Sequence, residues 1–209
     1  SVFDFDGKER ISGPMQNPEG EGLENGWDDL ILAWASPTER GYLSNDAMPN
    51  LFLTNHDGYR LADHFDGPDR YAKMMTRYAI LAGYPGPVTL YYGDEYGDLS
   101  KDTQGGQPDN IARTTGHLYP RSADEQALRD FVSGVMHFRQ QNPAMWRGDN
   151  KYDRRRVGDA DVLIVEKKDA QTGNEVVMIF ADKDVPALDA PGLPAPVALK
   201  AWVPLYYRK

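Results

Sequence analysis

Short apolar runs that end in polar residues alternate with helix-like stripes over the first two thirds of the chain. The run LFLT at 51–54 ends in NHD, and the run VTLYY at 88–92 ends in GDE. Between the two runs, apolar residues recur at helical spacing over 68–82. This strand–helix–strand order predicts a parallel α/β arrangement with polar groups where the strands end.

The same patterns predict further elements in this part of the chain. We expect a short strand at 2–5, a helix at 27–35 and one or two helical turns at 59–65. Ser122 and Glu125 form a capping box, which predicts the start of a long helix that runs to about Gln141.

Helical periodicity ends near residue 147, and turn residues then separate apolar runs of β type. The runs lie at 162–165, 176–181 and 197–207. They predict a small antiparallel β domain. We therefore expect two domains, one at 1–146 and one at 147–209.

Composition excludes some classes of partner and chemistry. The chain has 209 residues and a formal net charge of −9, which argues against nucleic acid or an anionic membrane as a partner but not against a neutral ligand. It has no cysteine, so a thiolate nucleophile, a disulfide and a cysteine-ligated zinc are excluded. No apolar run approaches the roughly 20 residues of a membrane span.

The polar residues after the two runs are the candidates for chemistry, because the carboxyl ends of parallel strands carry the variable loops. An imidazole followed by a carboxylate, His56 and Asp57, predicts a site that holds a polar substrate. The alternative is a turn that merely caps the next helix. Tyr91 and Tyr92 are candidates for stacking on a ligand ring, although packing within the fold is the stronger expectation for at least one of them.

Three segments together resemble the C-terminal portion of α-amylase family enzymes, glycoside hydrolase family 13. They are LFLTNHD (51–57), GYPGPVTLYYGDEYG (83–97) and HFRQQNPAMWRGD (137–149), followed by the β region. Their order is similar to that of barrel strands seven and eight and the last barrel helix, and SVFDF at the start resembles strand six. The implied fold class is α/β: a partial (β/α)8 TIM barrel with strands resembling six to eight, then a small antiparallel β-sandwich.

The resemblance also implies roles for the strand-end residues. Asp57 corresponds to the third catalytic carboxylate, which binds ring hydroxyls and helps to distort the sugar. His56 corresponds to the histidine that hydrogen-bonds those hydroxyls, and Asn55, which precedes it in the motif, is also expected to bind substrate. Asp94 and Glu95 match a segment that supports the site, and Tyr92 is expected to contact substrate.

One departure from the family pattern limits the functional interpretation. A retaining glycosidase needs two carboxyl groups about 5–5.5 Å apart, and no segment here resembles the motifs that carry the family's nucleophile and acid/base. Whether this chain alone is an enzyme is therefore uncertain. The expected function is an α-amylase-like retaining glycoside hydrolase acting on α-glucan, starch or maltooligosaccharides, with this chain supplying part of the active site.

The alternative is a catalytically inactive, amylase-derived fragment that binds α-glucan or serves as a structural or oligomerisation module. An unrelated α/β protein whose strand ends imitate the motif is a third, more generic option.

Three parallel strands cannot close on themselves, so we expect another polypeptide to cover their exposed edges. It would be a missing N-terminal barrel segment, because a strand-like run at residues 2–5 suggests that something preceded it, or a second copy of the chain. No cofactor is expected. Calcium at Asp109 and Asn110 is the open alternative, although these residues lack the spacing of a calcium loop. The resemblance favours an extracellular or periplasmic location.

Overall fold

The computed structural model describes residues 2–15, 19–100, 111–114 and 119–209. The helices are α1 (Phe5–Ser12), α2 (Trp27–Ala33), α3 (Arg70–Gly83), α4 (Ala123–Gln141) and α5 (Ala144–Arg147), with 3₁₀ turns at Leu61–His64 and Asp94–Tyr96. The strands are β1 (Leu51–Phe52), β2 (Val88–Thr89), β3 (Asp149–Val157), β4 (Ala160–Lys168), β5 (Glu175–Ala181), β6 (Val185–Leu188), β7 (Val197–Leu199) and β8 (Leu205–Arg208). None of the helices in these ranges is long and apolar enough to cross a membrane.

Three chain segments run parallel and side by side in the first part of the molecule. β1 pairs with β2, with Leu51 opposite Val88. On the other side of β1, Phe3 forms a parallel bridge with Asn50. The carboxyl ends of β1 and β2 therefore meet at one edge, as the strand–helix–strand pattern predicted.

The strand predicted at 2–5 is wrong except for the single bridge at Phe3. Helix α1 begins at Phe5, because the carboxylate of Asp4 accepts a hydrogen bond from the Gly7 amide at 2.9 Å and so caps the helix. Asp4 is also fully buried against Arg40, whose Nη1 donates to Asp4 Oδ2 at 2.6 Å. An N-cap and a distant ion pair thus override the local β propensity of the apolar residues.

Helix α4 begins where the capping box predicted, but only half of the box forms. The Glu125 amide donates to Ser122 Oγ at 3.1 Å. The Glu125 carboxylate accepts from the Arg121 amide, one residue before the expected partner. The helical turns predicted at 59–65 are a 3₁₀ turn at Leu61–His64.

The second part of the molecule is built on an open antiparallel sheet with the strand order β3–β4–β5–β8. The apolar run at 197–207 is split into β7, which pairs with β6, and β8, because Trp202 takes a left-handed φ of 60° in the turn between them. Strand β3 has a mostly polar sequence, DNKYDRRRV, and so lacked an apolar signal.

The sheet is covered on both faces, which explains the continuous apolar runs of β4 and β5. Alternate residues such as Leu163 and Phe180 join a core that also contains Trp27 and Trp34 of the first part. The intervening residues pack with β6 and β7 in a second core; they include Val162, Ile164, Val177 and Ile179. Two layers of sheet around this second core are consistent with a β-sandwich-like domain. The division at residue 147 stays a prediction.

Candidate functional site

His56 and Asp57 lie together just beyond the end of β1. His56 Nε2 is 2.9 Å from Asp57 Oδ1, and the two side chains are 51% and 40% exposed. The Asp57 amide donates to Asn55 Oδ1 at 3.0 Å, which closes an Asx-type turn. The alternative prediction of a turn is therefore correct, but the turn leaves the imidazole and the carboxylate open to a ligand rather than engaged in capping a helix.

Arg113 is a third charged group at this edge that the sequence did not indicate. Its Nη2 lies 3.6 Å from Asp57 Oδ1, and its side chain is half exposed. Residues 111–114 bring it there, since Ile111 and Ala112 are buried and anchor the segment. Arg113 lies in a polar stretch of sequence, 97–121, that has no apolar periodicity, so no local pattern indicated it.

Asp94 follows β2 and lies behind the open edge rather than on it. It is buried, accepts a hydrogen bond from the Thr54 hydroxyl, and accepts another from Arg60 Nη1 at 3.1 Å. Burial raises the pKa of Asp94 to about 7, against the opposing effects of Arg60 and Thr54. Thr54 follows β1, and Asp94 begins the turn after β2. The hydrogen bond between them therefore connects the ends of the two strands.

Tyr92 and Glu95 lie on the same side of the molecule. The Tyr92 hydroxyl donates to the Thr114 carbonyl at 2.6 Å, and its ring, which is half exposed, lies 4.7 Å from the ring of Tyr91. Glu95 is half-buried and helps to line a cavity of about 340 Å³ between the end of β2 and helix α4. An exposed aromatic ring beside a carboxylate is a chemistry that suits a sugar.

All the predicted site residues except Glu95, which lines the cavity beside α4, fall into two groups. His56, Asp57 and Tyr92 present exposed surface at the carboxyl ends of β1 and β2. Asn55 and Asp94 act on the shape of the loops through the hydrogen bonds given above. Both oxygens of Asp94 accept hydrogen bonds from protein groups, so this carboxylate is not free to attack a sugar.

Metal binding was left open by the sequence. No group of three or more histidine, cysteine or acidic side chains comes together within the part of the chain that the structure describes. The calcium candidates Asp109 and Asn110 lie outside the described residues. Calcium binding at these two residues therefore stays an open alternative.

Comparisons with known proteins confirm the resemblance to the C-terminal portion of α-amylase family enzymes. No family model matches the chain. An amylopullulanase of Thermoanaerobacterium saccharolyticum is 30% identical over 108 residues, which are 51% of this chain and 8% of that protein. A 4-alpha-glucanotransferase of Thermotoga maritima is 34% identical over 71 residues, which are 34% of this chain and 16% of that protein.

Solved structures of similar fold cover nearly the whole chain. A structure of AmyP in complex with maltotriose matches with a TM-score of 0.74 and 22% identity, over 99% of this chain and 49% of that one. The pullulanase from Bacillus acidopullulyticus matches with a TM-score of 0.72 and 14% identity, over 100% of this chain and 30% of that one. The chain thus spans half or less of the proteins that it resembles.

Proposed function

We propose that this chain is the C-terminal part of an α-glucan-active, retaining glycoside hydrolase of the α-amylase family and supplies part of its active site. The observation that carries the proposal is the exposed His56–Asp57 pair just beyond the end of β1, with the exposed Tyr92 ring just beyond the end of the neighbouring parallel strand β2. The ligands of similar structures support the substrate class, since AmyP was solved with maltose and maltotriose and a pullulanase with maltohexaose.

Each exposed group has a role that its chemistry suits. An ionised Asp57 only accepts hydrogen bonds and has two oxygens, so it can bind two neighbouring ring hydroxyls of one glucose unit. His56 donates to a hydroxyl from the ring nitrogen that faces Asp57, once a sugar separates the two side chains. Tyr92 offers an apolar face to the sugar ring. Asn55 holds the loop, and Asp94 and Glu95 support the site from behind.

Hydrolysis needs carboxyl groups that this proposal assigns to another part of the enzyme. A retaining mechanism uses a nucleophile and an acid/base about 5–5.5 Å apart. Asp94 is bound by Thr54 and Arg60, so it does not supply either function. In this proposal residues 1–146 form strands six to eight of a (β/α)8 barrel, residues 147–209 form the β-sandwich, and the remaining strands complete the site.

Exposed apolar side chains support contact with a further polypeptide at the parallel strands. Val2 and Phe3 are 62% and 55% exposed on one outer edge, and Leu90, just after β2, is 46% exposed on the other. Apolar groups beside unpaired strand edges are typical of surfaces that another chain covers. We propose the N-terminal barrel segment as the main occupant and a second copy of this chain as the alternative.

Sugar binding by the chain itself tests the proposed site. Isothermal titration with maltotriose compares the wild type with Asp57→Asn, which we expect to bind at least about tenfold more weakly because a charged hydrogen-bond acceptor is lost. Asp66→Asn is the matched control, since Asp66 is a fully exposed carboxylate in the same part of the molecule. Equal affinities of wild type and Asp57→Asn would refute the role of Asp57.

Light scattering on the eluate of a size-exclusion column tests whether another polypeptide covers the apolar edges of the parallel strands. We expect the wild type alone to self-associate and Leu90→Asp to reduce this, because a buried unpaired charge opposes association. A monodisperse, stably folded wild-type monomer would contradict the proposal that these edges are covered.

The relatives are hydrolases and transferases, which favours the enzymatic interpretation over an inactive fragment.

A further inference from the structure

Arg60 is a fully buried guanidinium three residues after Asp57. Its side chain has no exposed surface, and it is among the largest fully buried side chains of the described residues. Burying a charged group costs several kcal/mol unless partners replace its water. A buried arginine next to an open binding edge therefore needs an explanation from its contacts.

The contacts of Arg60 reach two other loops of the site. Nη1 donates to Asp94 Oδ1 at 3.1 Å and to the Tyr92 carbonyl, and Nη2 donates to Thr114 Oγ1 at 2.8 Å. The guanidinium carbon lies 4.6 Å from the ring centre of Tyr91 and 4.8 Å from that of Tyr92. One planar group thus contacts the loop after β2 and the 111–114 segment at once.

A further bond closes this set of contacts. The Tyr92 hydroxyl donates to the Thr114 carbonyl, so Arg60, Tyr92 and Thr114 each contact the other two. The neighbour of Thr114 is Arg113, which lies at Asp57. The position of the Tyr92 ring and of the Arg113 side chain relative to Asp57 therefore depends on the same buried guanidinium.

We propose that Arg60 is a positioning residue, which holds the Tyr92 ring and the 111–114 segment against the Asp57 loop and so sets the shape of the sugar-binding edge. This inference rests on the proposed function. It requires the planar fork of arginine rather than positive charge alone, because the bonds diverge from two nitrogens. A lysine at this position keeps the ion pair with Asp94 but cannot reach all three partners.

Two substitutions and a matched control test the proposal in the full chain. We expect Arg60→Lys and Arg60→Met to bind maltotriose about tenfold more weakly than wild type, since two directional bonds to the edge are lost. The control is Arg77→Lys. Arg77 is equally buried but donates to the backbone carbonyls of Ile11 and Glu21. We expect this control to lower the thermal midpoint and to leave the sugar affinity unchanged.

Chemical rescue separates positioning from general stability. We expect millimolar methylguanidinium, but not methylammonium, to restore maltotriose affinity to Arg60→Ala, measured where circular dichroism shows each protein folded. Wild-type affinity in Arg60→Lys, or an equal loss of affinity in Arg77→Lys, would overturn the proposal. So would the absence of any difference between the two rescuing cations.

Hydrogen exchange keeps this inference distinct from the proposed function. In Arg60→Met we expect the amides of 111–114 to exchange about tenfold faster than in wild type. In wild type this segment must break the Arg60–Thr114 hydrogen bond to open, and in the variant that bond is absent. Unchanged exchange overturns the positioning role whatever the sugar result. A wild type that does not bind maltotriose, together with faster exchange in Arg60→Met, overturns the sugar site and shows Arg60 to be structural only.

Discussion

Two cations from different parts of the chain, the partly buried Arg139 and the fully buried Lys167, bind carbonyls at the C-terminal end of helix α3 and just after it, and removing one of them should strongly destabilise the protein. Arg139 of α4 donates to the carbonyls of Ala82, Tyr84 and Gly86. Lys167 of β4 donates to the Gly83 carbonyl at 3.0 Å. Helices leave their last carbonyls without internal partners, so these cations complete the helix end.

The perturbation is Arg139→Met, which keeps a long apolar stem and removes three hydrogen bonds. A buried polar group left without a partner costs about 1–3 kcal/mol, so three carbonyls set a gross loss of about 3–9 kcal/mol. An opposing gain comes from the charge itself. Burial lowers the pKa of Arg139 to about 10, so its charged form is disfavoured in the folded protein.

The lowered pKa sets the size of the opposing gain. At about 1.4 kcal/mol for each tenfold change in the ionisation equilibrium, it corresponds to about 3 kcal/mol of charge burial that the substitution relieves. Water also reaches part of the site, since the Arg139 side chain is only partly buried. Subtracting this gain from the gross loss leaves about 0–6 kcal/mol, and we expect the middle of that range, a loss of about 2–4 kcal/mol in the free energy of unfolding.

The assay is chemical denaturation followed by circular dichroism, with Gln140→Met as the control. Gln140 is exposed on the same helix turn, so its replacement should change the free energy of unfolding by less than about 0.5 kcal/mol. A loss below about 1 kcal/mol for Arg139→Met would refute the reasoning. That outcome would mean that the carbonyls of this helix end find other partners at little cost.

Three further predictions follow from single residues. Burial and the neighbouring Lys8 lower the pKa of His64 from 6.5 to about 4. His64 therefore stays neutral in the folded state, and its contribution is lost as pH falls from 6.5 towards 4. Between pH 7 and pH 5 the wild type should lose about 2 kcal/mol more unfolding free energy than His64→Gln; parallel pH profiles would contradict this. Gly93→Ala should lower the thermal midpoint of unfolding more than Gly158→Ala does. Both glycines have positive φ, but of the two only Gly93 is crowded by neighbouring side chains; equal midpoints would contradict this. Arg154→Ala should change the free energy of unfolding by no more than about 1 kcal/mol despite its bonds to Asp161 and Asp28, because the Arg154 side chain is exposed; a larger loss would show that its ion pair with Asp28 joins the two parts of the chain.

Long periodic elements and strand-end polar residues could be predicted from the sequence. Helices α3 and α4 and strands β4 and β5 carry apolar patterns that local reasoning detects, and their positions agree with the structure. The adjacency of the β1 and β2 ends also followed, because strand–helix–strand units place neighbouring strands in parallel. This was enough to locate His56 and Asp57 at an open edge.

The elements that were missed depend on partners far away in the sequence. Residues 2–5 have the apolar pattern of a strand, but Asp4 caps α1 and pairs with Arg40. Strand β3 has alternating exposure but a polar sequence, so only its pairing with β4 reveals it. Arg113 is more than 50 positions from its neighbour Asp57, and no local pattern records such a contact.

The buried and partly buried cations differ in what they bind, and this difference separates structural from site residues. Lys8, Arg77 and Arg139 donate to backbone carbonyls, and burial lowers the pKa of each. They fix chain reversals and a helix end, so their loss should reduce stability wherever it is measured. Arg60 instead bonds to the buried carboxylate of Asp94 and to two loops that carry exposed site groups. A substitution of Arg60 should therefore change sugar affinity more than its effect on stability explains, whereas a substitution of Arg77 should change stability alone.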